Sequence, residues 1–176
     1  MSQISGPVIV IDDGGVASLV VCCLCTDPAR VVPLIASGQG ENAPSRADAV
    51  RRRRELLGLA EPITLTYPAA DEPLPERVAA TDLLLRAGRE ALRTGVNRVV
   101  WPIHSGTDLD EMERELERAR LVERLVNLDA PADHEAAVRI ETPLLDLTDA
   151  QIAELAADLD APLEVCWWCR KNGPAP

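Results

Sequence analysis

The feature that most constrains this fold is an apolar run near the start of the chain, in which every residue from Val8 to Ile11 is β-branched. A strand that is apolar at successive positions is typical of a sheet covered on both faces. The run ends at Asp12-Asp13-Gly14-Gly15, and an apolar segment at 16–25 that suits a buried helix follows it. A buried strand, a glycine turn and a helix together predict the first unit of a parallel α/β sheet.

Apolar runs and amphipathic segments continue to alternate along the chain. We predict strands at 7–11, 31–36, 63–67, 98–103 and 137–140. Helices are predicted at 16–25, 45–57 and 76–94, and two more begin where Thr107–Asp110 and Thr148–Gln151 have capping-box spacing. The alternation predicts an α/β domain over residues 1–160, followed by an irregular tail over 161–176. Its architecture is a single-domain, doubly wound, five-stranded parallel sheet flanked by helices, with strand order 3-2-1-4-5.

Charge and cysteine content exclude several classes of protein. Acidic residues outnumber basic ones 29 to 18, for a net charge of −11, which disfavours general binding to nucleic acid or anionic membranes. No apolar run approaches the roughly 20 residues that span a bilayer, and the N-terminus does not resemble a signal peptide. Five cysteines, three of them within residues 22–25, do not form the framework of a secreted protein. We therefore expect a cytoplasmic protein without a membrane segment.

The predicted topology also locates a candidate site. In doubly wound sheets, ligands bind beyond the carboxyl ends of the strands, where the strand order reverses. We therefore expect residues 12–18 and 102–108 to face each other across one crevice, with His104, Ser105 and Gly106 forming its second wall. His104 and Asp108 are the candidates for acid–base catalysis, because imidazole changes its charge near neutral pH. The alternative is that His104 is a turn residue ahead of a capped helix.

Three segments resemble known enzymes. The hexapeptide Asp13-Gly14-Gly15-Val16-Ala17-Ser18 resembles the PP-loop, Ser-Gly-Gly-x-Asp-Ser, of the N-type ATP pyrophosphatases. The segments 141–152 and 162–169 resemble blocks of 7-cyano-7-deazaguanine synthase, the queuosine-pathway enzyme, and Gly38-Gln39 resembles its turn after the second strand. These anchors span nearly the whole chain in the expected order. The resemblance implies an adenine nucleotide alpha hydrolase-like fold, a crevice for Mg-ATP or another adenine nucleotide, and a homodimer.

The loop departs from the family pattern at two positions. In that family, backbone N–H groups at a helix N-terminus hold the ATP phosphates. Both glycines and Ser18 are retained here, whereas Asp13 replaces the motif serine and Ala17 the motif aspartate. We expect Asp12 and Asp13 to place negative charge where phosphate oxygens would lie. The alternative is that one of these aspartates caps the helix and takes the anion position itself.

Two further departures concern the long helix and the tail. The family's arginine and asparagine fall on Ala79 and Ala80, and Arg77 is a partial substitute. Of the family's four zinc-binding cysteines only Cys169 has a match, and the sequence ends seven residues after it. Cys166 and Cys169 form a Cys-x-x-Cys pair that a third group would have to complete as a metal site, because structural zinc takes four ligands. We therefore expect well under one equivalent of zinc in the purified protein.

The remaining notable residues have plain interpretations. Cys22 and Cys25 form a second Cys-x-x-Cys pair, but their apolar surroundings favour buried thiols over metal ligands. The run Arg51–Arg54 is interpreted as a solvated helix face, and His134 as a solvated loop residue. Trp167 and Trp168 suggest one buried anchor and one contact residue for a ligand pocket or subunit interface.

Three functional hypotheses follow. The first is a degenerate relative of 7-cyano-7-deazaguanine synthase, a pseudoenzyme that binds a nucleotide, a small molecule or a protein without ATP pyrophosphatase chemistry. The second is an active ATP-dependent ligase of that type, which activates a carboxylate, forms an amide or nitrile, and uses Mg²⁺ recruited by Asp12 and Asp13. The third is a protein of the same superfamily that binds AMP or adenosine.

Overall fold

The strands of this protein form one parallel sheet in the order β3-β2-β1-β4-β5, which confirms the predicted topology. The computed structural model describes residues 3–37, 43–66, 76–131 and 136–167. Its strands are β1 (Val8–Ile11), β2 (Val31–Ser37), β3 (Ile63–Thr66), β4 (Arg98–Val100) and β5 (Arg139–Glu141). The predictions made for Tyr67, Gly38-Gln39, His134, Trp168 and Cys169 fall outside the described residues.

Helices cover both faces of the sheet, as predicted. They are α1 (Val16–Leu24), α2 (Ala43–Leu57), α3 (Glu76–Thr94), α4 (Leu109–Leu128) and α5 (Asp149–Asp158), with short 3₁₀ helices at Pro28–Arg30 and Leu163–Val165. Val8 and Val10 of β1 pack with α1 and α5 on one face. Ile9 and Ile11 pack with α3 and α4 on the other face. Successive side chains of β1 thus enter opposite cores, which explains why the whole strand is apolar.

The observed elements differ from the predicted ones at several ends. Strand β4 stops at Val100, before the predicted end at residue 103, and the tail predicted to be irregular contains the 3₁₀ helix at 163–165. The predicted capping box at Thr107–Asp110 is wrong, because Asp108 is the N-cap of α4 and its carboxylate accepts from the Glu111 N–H. The box at Thr148–Gln151 is confirmed at the start of α5, with both reciprocal hydrogen bonds present. No described helix is both long and apolar enough to cross a bilayer.

The helices α3 and α4 approach closely at one glycine. A Cβ added to Gly88 of α3 would lie 2.5 Å from Cγ2 of Val126 on α4. Val126 is buried in the core and cannot move away easily. The absence of a side chain at Gly88 therefore sets the distance between the two helices on this face of the sheet.

The substitution Gly88→Ala tests this contact. Alanine ordinarily stabilises a helix interior by about 1 kcal/mol relative to glycine. Overpacking of a filled core costs about 1–3 kcal/mol, so we expect Gly88→Ala to lower the free energy of unfolding. In urea denaturation, the double variant Gly88→Ala/Val126→Ala should lose less free energy of unfolding than the two single variants lose in sum. An increase in stability for Gly88→Ala alone would contradict the contact.

Candidate functional site

The two predicted crevice walls lie at the same edge of the sheet. Strands β1 and β4 are parallel neighbours, with Ile9 paired to Val99 and Val10 paired to Val100. The loops that follow them, at 12–15 and 101–108, therefore both leave the sheet at its carboxyl edge. The second loop is held to the turn before α5, since the Ser105 N–H donates to the Leu145 carbonyl at 2.9 Å.

Two consecutive aspartates occupy the N–H donors of the first loop. Oδ1 of Asp12 accepts from the Gly14 N–H at 2.9 Å, and Oδ1 of Asp13 accepts from the Gly15 N–H at 2.9 Å. Each is the local bond of an aspartate to the backbone two residues ahead. Ser18 Oγ lies 3.0 Å from Asp13 Oδ1, so its hydroxyl can donate to the same carboxylate. The Asp13 carboxylate thus sits at the N-terminus of α1, where an anion is favoured.

Gly14 lets α2 approach the loop. Its φ is +80°, and a Cβ there would lie 3.0 Å from the Arg46 carbonyl oxygen and 3.2 Å from the Ala49 Cβ. A larger residue would be strained by the backbone conformation and would also collide with the helix. The first motif glycine thus permits close packing of α2 on the loop.

Arg53 is fully buried, so the prediction of a solvated face for Arg51–Arg54 is wrong at this position. Its exposed fraction is 0%. Nη1 donates to Asp12 Oδ1 at 2.6 Å and to Ser18 Oγ at 2.9 Å. Nη2 donates to the Gly15 carbonyl at 2.8 Å and lies 3.7 Å from Cys166 Sγ. One side chain of α2 therefore joins the end of β1, the start of α1 and the C-terminal segment.

The charge of Asp12 is compensated within the protein. Burial raises the pKa of Asp12 above its ordinary value, while the Arg53 guanidinium acts in the opposite direction. The expectation that both aspartates present free charge to a ligand is therefore wrong for Asp12. Asp13 remains exposed at the loop. Asp12 Oδ2 and Arg53 Nε have no hydrogen-bond partner within the described ranges.

The segment that ends at Trp167 packs on the same loop. The Trp167 N–H donates to the Gly14 carbonyl at 2.8 Å, and the Arg46 guanidinium lies 4.6 Å from the centre of the Trp167 ring. Val165 and Cys166 are buried against Leu19 of α1. This segment therefore contacts both the loop at 12–15 and helix α2.

Of the two acid–base candidates, His104 contacts a side chain of another element, whereas Asp108 bonds within its own helix. His104 Nε2 lies 2.7 Å from Oδ1 of Asp149, an exposed residue in the first turn of α5 that sequence reasoning missed. The Asp108 carboxylate instead caps α4 through the Glu111 N–H at 3.0 Å. Ser105 Oγ is buried without a hydrogen-bond partner among the residues described. Arg77, the expected substitute arginine, lies 3.5 Å from Glu111 on α4.

The described cysteines are buried or partly buried thiols. Burial raises the pKa of Cys22 well above its ordinary value and that of Cys25 to about 11. The pKa of Cys166 is raised by burial too, although Arg53 acts in the opposite direction. Thiolates, rather than thiols, bind metals. Within the described part of the chain, no group of three or more His, Cys, Asp or Glu residues is placed to hold a metal ion.

Comparison with solved structures shows the fold. The chain matches the U34-tRNA thiolase NcsA from Methanococcus maripaludis, a structure with a [4Fe-4S] cluster, with a TM-score of 0.58 and 16% identity. The match covers 92% of this chain and 58% of the thiolase, so this chain spans little more than half the thiolase's length. Together with the strand order, it confirms the predicted adenine nucleotide alpha hydrolase-like fold.

Two further solved structures are less similar, with TM-scores below 0.5. NMN synthetase from Francisella tularensis matches with a TM-score of 0.47 and 17% identity, over 90% of this chain and 63% of that one. PH1313 from Pyrococcus horikoshii Ot3 matches with a TM-score of 0.44 and 11% identity, over 88% and 41%. No protein-family model matches the sequence, and no curated protein matches it.

Replacement of Arg53 should destabilise the protein far more than replacement of its neighbour. Removing one member of a buried ion pair leaves the other charge uncompensated, which costs about 3–5 kcal/mol. We expect that loss in the free energy of unfolding for Arg53→Met, and recovery of part of it in Asp12→Asn/Arg53→Met. The matched control is Arg52→Met, since Arg52 pairs with Asp48 at the surface and such pairs contribute about 1 kcal/mol or less. Equal effects of the two single substitutions would contradict the buried pair.

The raised pKa of Cys25 predicts a loss of stability at alkaline pH. The ordinary value is 9.0 and the folded value is about 11, so the unfolded chain loses this proton first as the pH rises. The contribution is intact below pH 9 and is lost between pH 9 and 11, a difference of about 2–3 kcal/mol. In urea denaturation, Cys25→Ala should show a shallower fall in stability over this interval than the wild type. Parallel pH profiles would contradict the assignment.

Proposed function

We propose that this chain is a degenerate relative of 7-cyano-7-deazaguanine synthase that binds a small molecule or a protein and has lost ATP pyrophosphatase activity. The observation that carries the proposal is the carboxylate of Asp13 on the Gly15 N–H and the Ser18 hydroxyl. In a PP-loop, these are groups that would face a phosphate. We further expect the module to act in the cytoplasm and as a homodimer.

Electrostatics support the loss of ATP binding. A phosphate oxygen at the Gly15 N–H would have to displace Asp13 Oδ1, which lies 2.9 Å from that nitrogen. Two like unit charges about 5 Å apart repel by roughly 3 kcal/mol at an effective dielectric of about 20. ATP carries several such charges. A neutral ligand avoids this repulsion, so adenosine is better suited to the loop than a nucleoside triphosphate.

The positions of the two carboxylates also disfavour the alternative, an active ligase in which Asp12 and Asp13 together hold Mg²⁺. Asp12 is buried, and its Oδ1 is bonded to Arg53 and to the Gly14 N–H. The other oxygen, Oδ2, has no hydrogen-bond partner among the described residues but is buried, so a metal ion would have to enter the core beside the Arg53 guanidinium, whose like charge opposes it. Of the two aspartates, only Asp13 is exposed to a metal ion.

Calorimetry with Mg-ATP on the wild type and on Asp13→Ser tests the proposal. We expect weak or undetectable binding to the wild type, and at least tenfold tighter binding to Asp13→Ser at low salt. The gain should shrink as salt rises, because screening weakens the repulsion that the substitution removes. The matched control is Asp27→Ser, which removes one exposed acidic charge beside the start of β2, at the amino edge of the sheet.

Two outcomes decide between the candidates. Pyrophosphate release should be absent with every carboxylate offered, and Ala17→Asp alone should not restore it because Ala79 and Ala80 are unchanged. If the wild type binds Mg-ATP at micromolar concentration and Asp13→Ser weakens binding, Asp13 is a metal ligand and the active-ligase alternative becomes the leading hypothesis. If ATP does not bind, thermal-shift measurements with adenosine, AMP and 7-deazaguanine compounds identify the class of small molecule that the protein binds.

A further inference from the structure

Strand β5 forms one edge of the sheet, and an open edge presents unpaired N–H and C=O groups to which another chain can bond. The Arg139 N–H and the Glu141 carbonyl bond at 2.9 Å and 2.8 Å to the residues that flank β4. Backbone groups of successive strand residues point to opposite sides, so those of Val138, just before β5, and Ile140 face the outer edge. These outward groups are the ones that a further strand would use.

The side chain of Asn127 on α4 occupies both outward groups of Val138. Its Oδ1 accepts from the Val138 N–H at 2.8 Å, and its Nδ2 donates to the Val138 carbonyl at 2.8 Å. A residue of an antiparallel neighbouring strand exchanges this same pair of bonds with its partner. Nδ2 also donates to the Glu123 carbonyl at 2.8 Å, so both hydrogens of the amide are used and its orientation is fixed.

The carboxylate of Glu123 occupies the outward N–H of Ile140. Its Oε2 accepts from that N–H at 2.8 Å. Glu123 and Asn127 are four residues apart, so they lie on the same face of α4, and both residues are half-buried. Three of the four outward backbone groups of Val138 and Ile140 are therefore bonded to side chains of one helix.

We propose that Asn127 and Glu123 close the outer edge of β5, and that β5 is a latent pairing site for an extended chain, kept shut by these two side chains. An incoming strand needs the outward groups of Val138 and Ile140, so it would have to displace both side chains to reach them. The bonds that it would replace are made within one chain and carry no entropy cost of association. The inference does not rest on the proposed ligand binding or on the expected homodimer, since both side chains lie at the sheet edge and not in the loop at 12–18.

Amide hydrogen exchange tests whether the two side chains close the edge. Leucine has nearly the size of asparagine but forms no hydrogen bond, so Asn127→Leu should speed exchange of the Val138 amide about tenfold. Glu123→Leu should do the same at the Ile140 amide. The matched control is Glu123→Gln, which keeps a carbonyl oxygen at that place and should leave exchange of Ile140 close to that of the wild type.

Sedimentation tests whether the opened edge pairs with another chain. The double variant Asn127→Leu/Glu123→Leu should form species larger than those of the wild type at the same concentration, with more strand signal in the infrared spectrum. The matched control is Glu113→Leu/Glu117→Leu, which adds the same number of leucines to exposed positions of α4. It should keep the wild-type size, and circular dichroism checks that each variant is folded.

A second variant keeps the test decisive if the double leucine variant does not fold. Asn127→Asp retains the size of the side chain but sets a carboxylate oxygen against the Val138 carbonyl, so it should open the edge and also form larger species. A folded edge variant that keeps the wild-type size would overturn the proposal, because the contacts would then only anchor α4. Unchanged exchange of the Val138 and Ile140 amides in the single leucine variants would overturn it as well.

Discussion

The buried ion pair of Arg53 with Asp12 is the interaction on which the arrangement of the loop depends. Its charges lie 2.6 Å apart with both side chains removed from solvent. A single charge buried in that environment is strongly unfavourable, so Asp12 at the end of β1 requires Arg53 of α2 beside it. The same guanidinium bonds the Gly15 carbonyl and the Ser18 hydroxyl, and therefore fixes the start of α1 relative to the sheet.

This arrangement separates the roles of two adjacent aspartates. Asp12 is part of the core and its charge is balanced by Arg53, whereas Asp13 faces solvent and satisfies donors of the loop. The loop thus retains the two glycines that resemble the PP-loop motif, Gly14 for the approach of α2 and Gly15 at the helix start, while the Asp13 carboxylate accepts from the Gly15 N–H and the Ser18 hydroxyl. We propose that this carboxylate takes the place of a bound anion at the start of α1.

The fold was largely predictable from the sequence because each strand is a short apolar run bounded by turn residues. The even and odd residues of β1 are all apolar, and a short run of β-branched residues that ends at a glycine turn is typical of a strand buried on both faces. Arg53 could not be identified by composition, because it stands among four consecutive arginines of which the other three are not buried. Its spacing from Val50 and Leu57 places it on their face of α2, which is the signal that was available. Asp149 gave no such signal, since its contact with His104 joins residues that are distant in the sequence.

We propose above all that the Asp13 carboxylate fills the anion position at the start of α1. Titration of labelled protein with inorganic pyrophosphate, followed by the backbone amide resonances of Gly15 and Ser18, tests it most directly. We expect these resonances to stay in place in the wild type and to shift saturably in Asp13→Ser. A saturable shift of the Gly15 amide in the wild type would contradict it, because it would show a phosphate bound where Asp13 is placed.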